Sequence, residues 1–259
     1  MQDSGMKQNG TEPHLHHRIF PVILSVPLKV HRLKARERVA ALGRLARQAL
    51  EICSEKGRIR LGKLLKDANG APMPFDGHYW SLTHKPKYVG AVISLQKTGI
   101  DIEEVRTISD PMFKRVAGDG EWRLGGSRSE ILFFRFWTAK EAVLKAEGVG
   151  MAGLSNCVVK QLWDRQHLEI AYRDKRYLIE QVYFNGHIAA VVKNKLDSQW
   201  TLEEPRSSAN GISASLQQAT GNALAIAVQH TKVKRSEELC SELSLPTTKS
   251  SLPPKSESA

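Results

Sequence analysis

The sequence has no run of about 18 or more apolar residues, the length a membrane-crossing helix needs, so no membrane span is expected. Met1 to His17 is polar and lacks the apolar centre of a secretory signal, which sets the expectation of a cytoplasmic protein. Cysteine is scarce. Cys53, Cys157 and Cys240 lie far apart and no two have metal-ligand spacing, which suits a reducing compartment and excludes a disulfide scaffold. His14, His16 and His17 read either as a loose metal cluster or as part of a solvated lead-in. Acidic residues are outnumbered: 38 Lys and Arg against 27 Asp and Glu leave a net charge of +11. Twelve of the basic residues fall between Lys29 and Lys66 against Glu37, Glu51 and Glu55, so that stretch alone carries +9. Such a patch attracts nucleic acid, a phosphate-rich cofactor or an acidic protein. No helix-turn-helix, zinc-finger or RNP-like motif is present, and no aromatic residues alternate with the basic ones, so binding of nucleic acid is not expected. Thr201 to Ala259 contains no Phe, Trp or Tyr and is rich in Ser. It lacks the apolar surface to offset its ordering entropy and reads as a disordered tail, apart from a helical turn or two at Ala223 to Val228.

What remains orders itself into two series. Residues 1–18 read as a disordered segment. Ile19 to Leu28 reads as a strand, with Pro21 and Pro27 pointing to a sheet edge. A helix over His31 to Lys56 follows, its stripe formed by Val39, Leu42, Ala46, Ala49, Leu50 and Cys53, with Arg36, Arg44 and Arg47 off it. Asn69-Gly70-Ala71-Pro72 marks a turn, and Tyr79 to His84 and Val89 to Leu95 read as strands. The second series starts at Gly99. Ile100 to Val105 is a short strand, Asp110-Pro111 opens a short helix, and Glu130 to Glu147 is a strong helix ended by Gly148, Gly150 and Gly153. Strands are expected near Asn156–Gln161, His167–Arg173, Arg176–Phe184 and His187–Lys193. The fold class is therefore α+β: a module over 19–97 and a second over 98–200, each a long helix on a small, mostly antiparallel sheet, with a cleft between them and a tail over 201–259.

Three segments carry chemistry. In Thr98-Gly99-Ile100-Asp101-Ile102-Glu103-Glu104, strand alternation puts Asp101 and Glu103 on one face. Two adjacent carboxylates call for a proton or a cation, and hard oxygen donors suit Mg²⁺; the same pattern also fits a solvated strand face. In Phe136-Trp137-Thr138-Ala139-Lys140-Glu141-Ala142-Val143-Leu144-Lys145, helical spacing sets Glu141 between Trp137 and Lys145 on one flank. There it is either a held, partly solvated functional carboxylate or half of an ordinary surface ion pair. In Trp80-Ser81-Leu82-Thr83-His84-Lys85, hydroxyls and a His end a strand beside a Lys, which fits either a phosphate site or a structural histidine.

The order of the three is more specific than any one of them. Ser-Leu-Thr-His, then Gly-Ile-Asp-Ile-Glu, then Phe-Trp-Thr-Ala-Lys-Glu-Ala-Val-Leu-Lys-Ala-Glu-Gly-Val-Gly resembles the 4′-phosphopantetheinyl transferase superfamily. Its signature is Gly-x-Asp-x-Glu followed by Trp-(Ser/Thr)-x-Lys-Glu-(Ala/Ser)-x-x-Lys. The resemblance runs from about Ile19 to Asn194, and the layout is similar to the single-chain, surfactin-synthetase-activating branch. It implies a holo-[acyl-carrier-protein] synthase activity: transfer of the 4′-phosphopantetheine arm of coenzyme A to a serine of an apo acyl or peptidyl carrier protein, releasing adenosine 3′,5′-bisphosphate. By position, it implies that Asp101, Glu103 and Glu141 bind Mg²⁺ and that Lys140 and Lys145 face the phosphates. It further implies that Thr83 and His84 hold the 3′-phosphate end of coenzyme A. Glu141, with Lys145, would be catalytic, taking the proton of the carrier serine. Many members carry Gly-Lys-Pro where this chain has Gly70-Ala71-Pro72, so that Lys contact is missing here. A monomer is expected, since two modules supply both walls of a cleft. The alternatives are a basic nucleic-acid-binding protein and an inactive relative that only binds carriers.

Overall fold

The computed structural model describes residues 17–205. The expectations for residues 1–16, which include His14 and His16, and for 206–259, which include Cys240 and Ala223 to Val228, fall outside it. The described chain is a mixed α+β structure with two main sheets. One is four-stranded, ordered β11 (Thr201–Glu203), β2 (Val22–Ser25), β4 (Tyr88–Ser94), β3 (Tyr79–His84). The other is five-stranded and antiparallel, ordered β5 (Ile100–Glu104), β9 (His187–Val192), β8 (Lys175–Phe184), β7 (His167–Tyr172), β6 (Cys157–Leu162). A parallel pair, β1 (Arg18–Ile19) with β10 (Asp197–Ser198), brings the two ends of the described chain together.

Each main sheet carries one long helix. On the first lies α2 (Ala35–Gly57), with Leu42, Ala46, Ala49, Leu50 and Cys53 buried against Val22, Leu24, Val89 and Ala91. It begins at Ala35 rather than His31. Leu28–His31 forms a separate turn, α1, and the side chain of Glu37 accepts the backbone N–H of Lys34 to open α2. Val39, assigned by spacing to the buried stripe, is 61% exposed, because the first turns of α2 extend past the sheet. On the second sheet lies α5 (Glu130–Glu147). Ser129 caps it by accepting the N–H of Leu132, and Gly148 ends it in the left-handed conformation that favours glycine. Two short helices, α3 (Asp110–Val116) and α4 (Asp119–Leu124), cover its outer side, so α5 is buried nearly all round. Phe113, Trp122, Phe133 and Phe136 pack as a tilted and stacked aromatic cluster there. Each such burial contributes roughly 1.5–3 kcal/mol before entropy is counted. No helix among the described residues is long and apolar enough to cross a membrane.

Two expectations are corrected. β2 is not an edge strand: Pro21 and Pro27 flank it rather than interrupt it, and β11 pairs with it on the side opposite β4. β11 itself comes from Thr201–Glu203, which composition assigned to the tail. Backbone pairing needs no large side chain, and the segment is anchored next door. Trp200 donates its indole N–H to Glu180 Oε1 at 2.9 Å, and Ser198 and Lys193 bond the same carboxylate. Burial pushes the Glu180 carboxyl up, but the bonds from Ser198, Lys193 and Trp200 outweigh it and hold the group below its ordinary range. A group lowered on folding stabilises the protein above its unfolded pKa and loses that contribution as pH falls through the lowered value. Glu180→Gln is therefore expected to cost about 1–3 kcal/mol at neutral pH in urea unfolding. It should also flatten the acid side of the stability curve and speed amide exchange in Asp197–Glu203.

The two main sheets meet where β5 packs against β3 and β4. Ile23, Val92, Ile100 and Ile102 fill the seam, and the Ile100 N–H bonds Ser81 Oγ. This seam sets the third motif beside the first, and α5 sets the second beside both.

Candidate functional site

Asp101 lies on β5 between Ile100 and Ile102, both fully buried, and is itself only 1% exposed. Its Oδ1 accepts from Thr83 Oγ1 at 3.0 Å and from Lys145 Nζ at 2.8 Å. Its Oδ2 is buried without a hydrogen-bond partner. Glu103, two residues on and on the same face, accepts from Lys85 Nζ at 2.7 Å and Trp137 Nε1 at 2.9 Å, both on Oε1. Lys85 Nζ is also 3.7 Å from Asp101 Oδ1, so one ammonium spans the two carboxylates. Lys145 is fixed a second time, by the carbonyl of Ile100 at 3.0 Å.

Glu141 projects from α5 toward this group. Burial raises its pKa above the usual carboxylate range, and the negative charges of Asp101 and Glu103 add to the rise while Lys145 and Lys85 oppose it. A carboxyl held up in this way is a better proton acceptor than an exposed one. The pKa of Lys85 is raised as well, by the opposite balance: desolvation lowers it, but Asp101, Glu103 and Glu141 outweigh the desolvation. His84 stands exposed at the end of β3. Partial burial and the neighbouring cations Lys145, Lys85 and Lys66 lower its pKa. Excess positive charge around a ring that already resists protonation is a setting suited to an anion.

The structure thus brings together Asp101, Glu103, Glu141, Lys145 and His84, and separates two residues from their expected roles. Lys140 does not face the cleft. Its ammonium is buried, donating to the carbonyl of Val116 at 2.6 Å and pairing with Glu121 Oε1 at 2.7 Å. Position 140 lies on the flank of α5 that meets α3 and α4, so this Lys ties those helices to α5. Thr83 is likewise buried, its hydroxyl committed to Asp101; it orients a carboxylate rather than a phosphate. Sequence reasoning missed Lys85 and the indole of Trp137 as partners of Glu103. A Trp on a helix flank facing a carboxylate strand was the available signal, since a buried indole N–H needs an acceptor.

Among the described residues no three His, Cys, Asp or Glu side chains converge as a ready-made metal cage. The donor set nevertheless fits Mg²⁺, which takes one or two carboxylates and completes its shell with water and substrate phosphates. The buried, unpartnered Oδ2 of Asp101 is the feature that most needs a cation, because such an oxygen is costly when left bare.

Residues 97–192 match the family model described as the 4′-phosphopantetheinyl transferase superfamily. Two curated relatives are similar to the chain. The 4′-phosphopantetheinyl transferase psf-1 of Bacillus pumilus is 29% identical over 107 residues, 39% of this chain and 46% of the relative. The 4′-phosphopantetheinyl transferase gsp of Aneurinibacillus migulanus is 32% identical over 91 residues, 33% of this chain and 38% of the relative. The chain thus matches less than half the length of either relative. In the stretch that holds both the Gly-x-Asp-x-Glu strand and the Trp-Thr-Ala-Lys-Glu helix, the chain resembles the 4′-phosphopantetheinyl transferase superfamily, in its family model and in two of its enzymes alike.

Proposed function

We propose that the protein transfers the 4′-phosphopantetheine arm of coenzyme A to a serine of an apo acyl or peptidyl carrier protein. The observation that carries this reading is the meeting of the three motifs at one seam: Asp101 and Glu103 from β5, Glu141 and Lys145 from α5, and His84 from the end of β3. The two sheet-and-helix layers act as two modules whose junction is the cleft, so a monomer suffices, working in the cytoplasm.

In this reading Asp101, Glu103 and Glu141 hold Mg²⁺, which supplies charge neutralisation at the pyrophosphate. Lys145, braced by Asp101 and the Ile100 carbonyl, presents fixed positive charge to the phosphates and needs no reorganisation during reaction. Thr83 keeps Asp101 in one orientation. His84 and the lysines beside it receive the 3′-phosphate. Glu141 accepts the proton of the carrier serine hydroxyl as its oxygen attacks the β-phosphorus of coenzyme A. The bond from that phosphorus to the bridging oxygen breaks, and adenosine 3′,5′-bisphosphate leaves with the electron pair. Positioning and charge stabilisation dominate such a transfer, and this constellation is built for both.

The test is intact mass spectrometry of apo carrier proteins incubated with the protein, coenzyme A and Mg²⁺, with and without a chelator. A chelator-sensitive gain of one phosphopantetheine arm is expected. Unmodified acyl and peptidyl carriers in the presence of folded protein would overturn the reading.

A further inference from the structure

Lys85 lies one residue past the Ser-Leu-Thr-His stretch that carries the resemblance, and its ammonium spans both strand carboxylates of the site. Its ammonium lies 2.7 Å from Glu103 Oε1 and 3.7 Å from Asp101 Oδ1, and the side chain is 28% exposed. Lys145, equally exposed, differs in its anchoring: besides Asp101 it bonds the carbonyl of Ile100, which keeps it in place whatever happens to the carboxylates. Among the described residues Lys85 Nζ bonds carboxylate alone. Its backbone is pinned, the Lys85 N–H donating to the carbonyl of Tyr88 at 2.8 Å, so only the flexible side chain is free to move. It also follows His84 directly, at the turn where positive charge from Lys66 and Lys145 gathers.

From this arrangement we infer that Lys85 is a resident counter-cation of the Asp101–Glu103 pair, that a divalent cation must displace it to claim those carboxylates, and that the displaced ammonium becomes an anion ligand beside His84. The inference rests on the reading of Asp101, Glu103 and Glu141 as the cation-binding set. Its physical basis is competition. A compact ammonium and a divalent cation want the same carboxylate oxygens, and they repel each other at a separation of a few ångströms. Once its carboxylate partner is engaged elsewhere, a Lys with one strand-end neighbour of ring nitrogen and two of ammonium finds its best partner in an anion held among them. Metal and anion then assist each other: one frees the Lys and the other receives it.

The experiment is isothermal titration of MgCl₂ into the full chain, wild type and Lys85→Met, then of adenosine 3′,5′-bisphosphate at saturating Mg²⁺. Losing the competing charge should tighten Mg²⁺ binding about tenfold, and losing the anion ligand should weaken the nucleotide several-fold. Lys85→Arg should keep near wild-type Mg²⁺ affinity. If Lys85→Met fails to fold, Lys85→Gln removes the same charge at similar length and carries the same expectation. Mg²⁺ affinity that is unchanged or weaker in a folded, uncharged variant overturns the proposal, as does the absence of Mg²⁺ binding in every variant. The transferase reading fails separately. Exchange of Mg²⁺ against Lys85 with no carrier modified would remove the reaction, while transfer by the wild type with no effect of Lys85 on Mg²⁺ would remove only the counter-cation role.

Discussion

Gly99→Ala is expected to lower stability by about 4 kcal/mol or more, among the largest effects a single methyl group produces. A Cβ at this position would sit 1.9 Å from the carbonyl oxygen of Ala142 and 2.8 Å from the N–H nitrogen of Ala146. Both are backbone atoms of α5, which has no room to retreat because α3 and α4 cover its other side. Relief therefore requires moving the whole helix off β5, not a rotamer change. The same movement would part Lys145 from Asp101, so the proposed transfer should fall with stability. For a domain of this size the loss corresponds to a drop of roughly 8–16 °C in Tm. Gly43→Ala is the control. It lies inside α2 with nothing within 4 Å of its added Cβ, and should leave Tm unchanged or raise it slightly. Equal stability of Gly99→Ala and wild type would show that β5 and α5 are not packed at backbone contact.

This glycine also explains how much of the site was legible in the sequence. Gly-x-Asp-x-Glu reads as two carboxylates on one strand face, and strand alternation is dependable because its period is two. The helix over Glu130 to Glu147 is equally legible, with a Gly stop and a dense apolar pattern. What the pattern conceals is which neighbour each polar group meets. Thr83 and Lys140 sit inside recognisable motifs, but their side chains point into protein, and only the packing of β3 against β5 and of α3 and α4 against α5 decides that. The helix α4, spanning Asp119–Leu124, went unread because its six residues are too short to display a period. β11 went unread for a different reason. Its three residues are held by backbone pairing and by the Glu180 network some twenty residues away in sequence, and composition is blind to both. Burial of Asp101 was likewise hidden: a carboxylate on a strand reads as solvated, and only the seam between the sheets encloses it.

Glu141→Gln is expected to separate activity from stability. In the folded protein Glu141 is held above the ordinary carboxylate range, first by burial and then by the charge of Asp101. A carboxyl raised on folding makes ionisation more costly in the native state than in the unfolded chain, so at neutral pH the ionised group works against the fold. Gln removes that charge at almost the same volume. Its melting temperature at neutral pH should therefore equal or exceed that of the wild type, and the difference should shrink as pH falls and Glu141 takes up its proton. With Glu141 as the proton acceptor of the proposed transfer, kcat should fall roughly 10²–10⁴-fold, the usual worth of a positioned general base. On the proposed transferase reading the wild-type rate should also fall as pH drops through the raised pKa, because Glu141 must be ionised to accept the serine proton. Asp101→Asn checks the coupling between the two groups. It keeps the shape of the side chain and an acceptor for Thr83, but removes the negative charge that raises Glu141 most, so Glu141 should titrate lower and the acid limb of the residual rate should move to lower pH. Asn is the informative substitution here, because an Ala at this buried position would also strip Thr83 and Lys145 of a partner and confound chemistry with folding. A Glu141→Gln protein that is both less stable than wild type and still active would mean that its carboxylate is a structural partner rather than the proton acceptor. The cation-binding face would then reduce to Asp101 and Glu103.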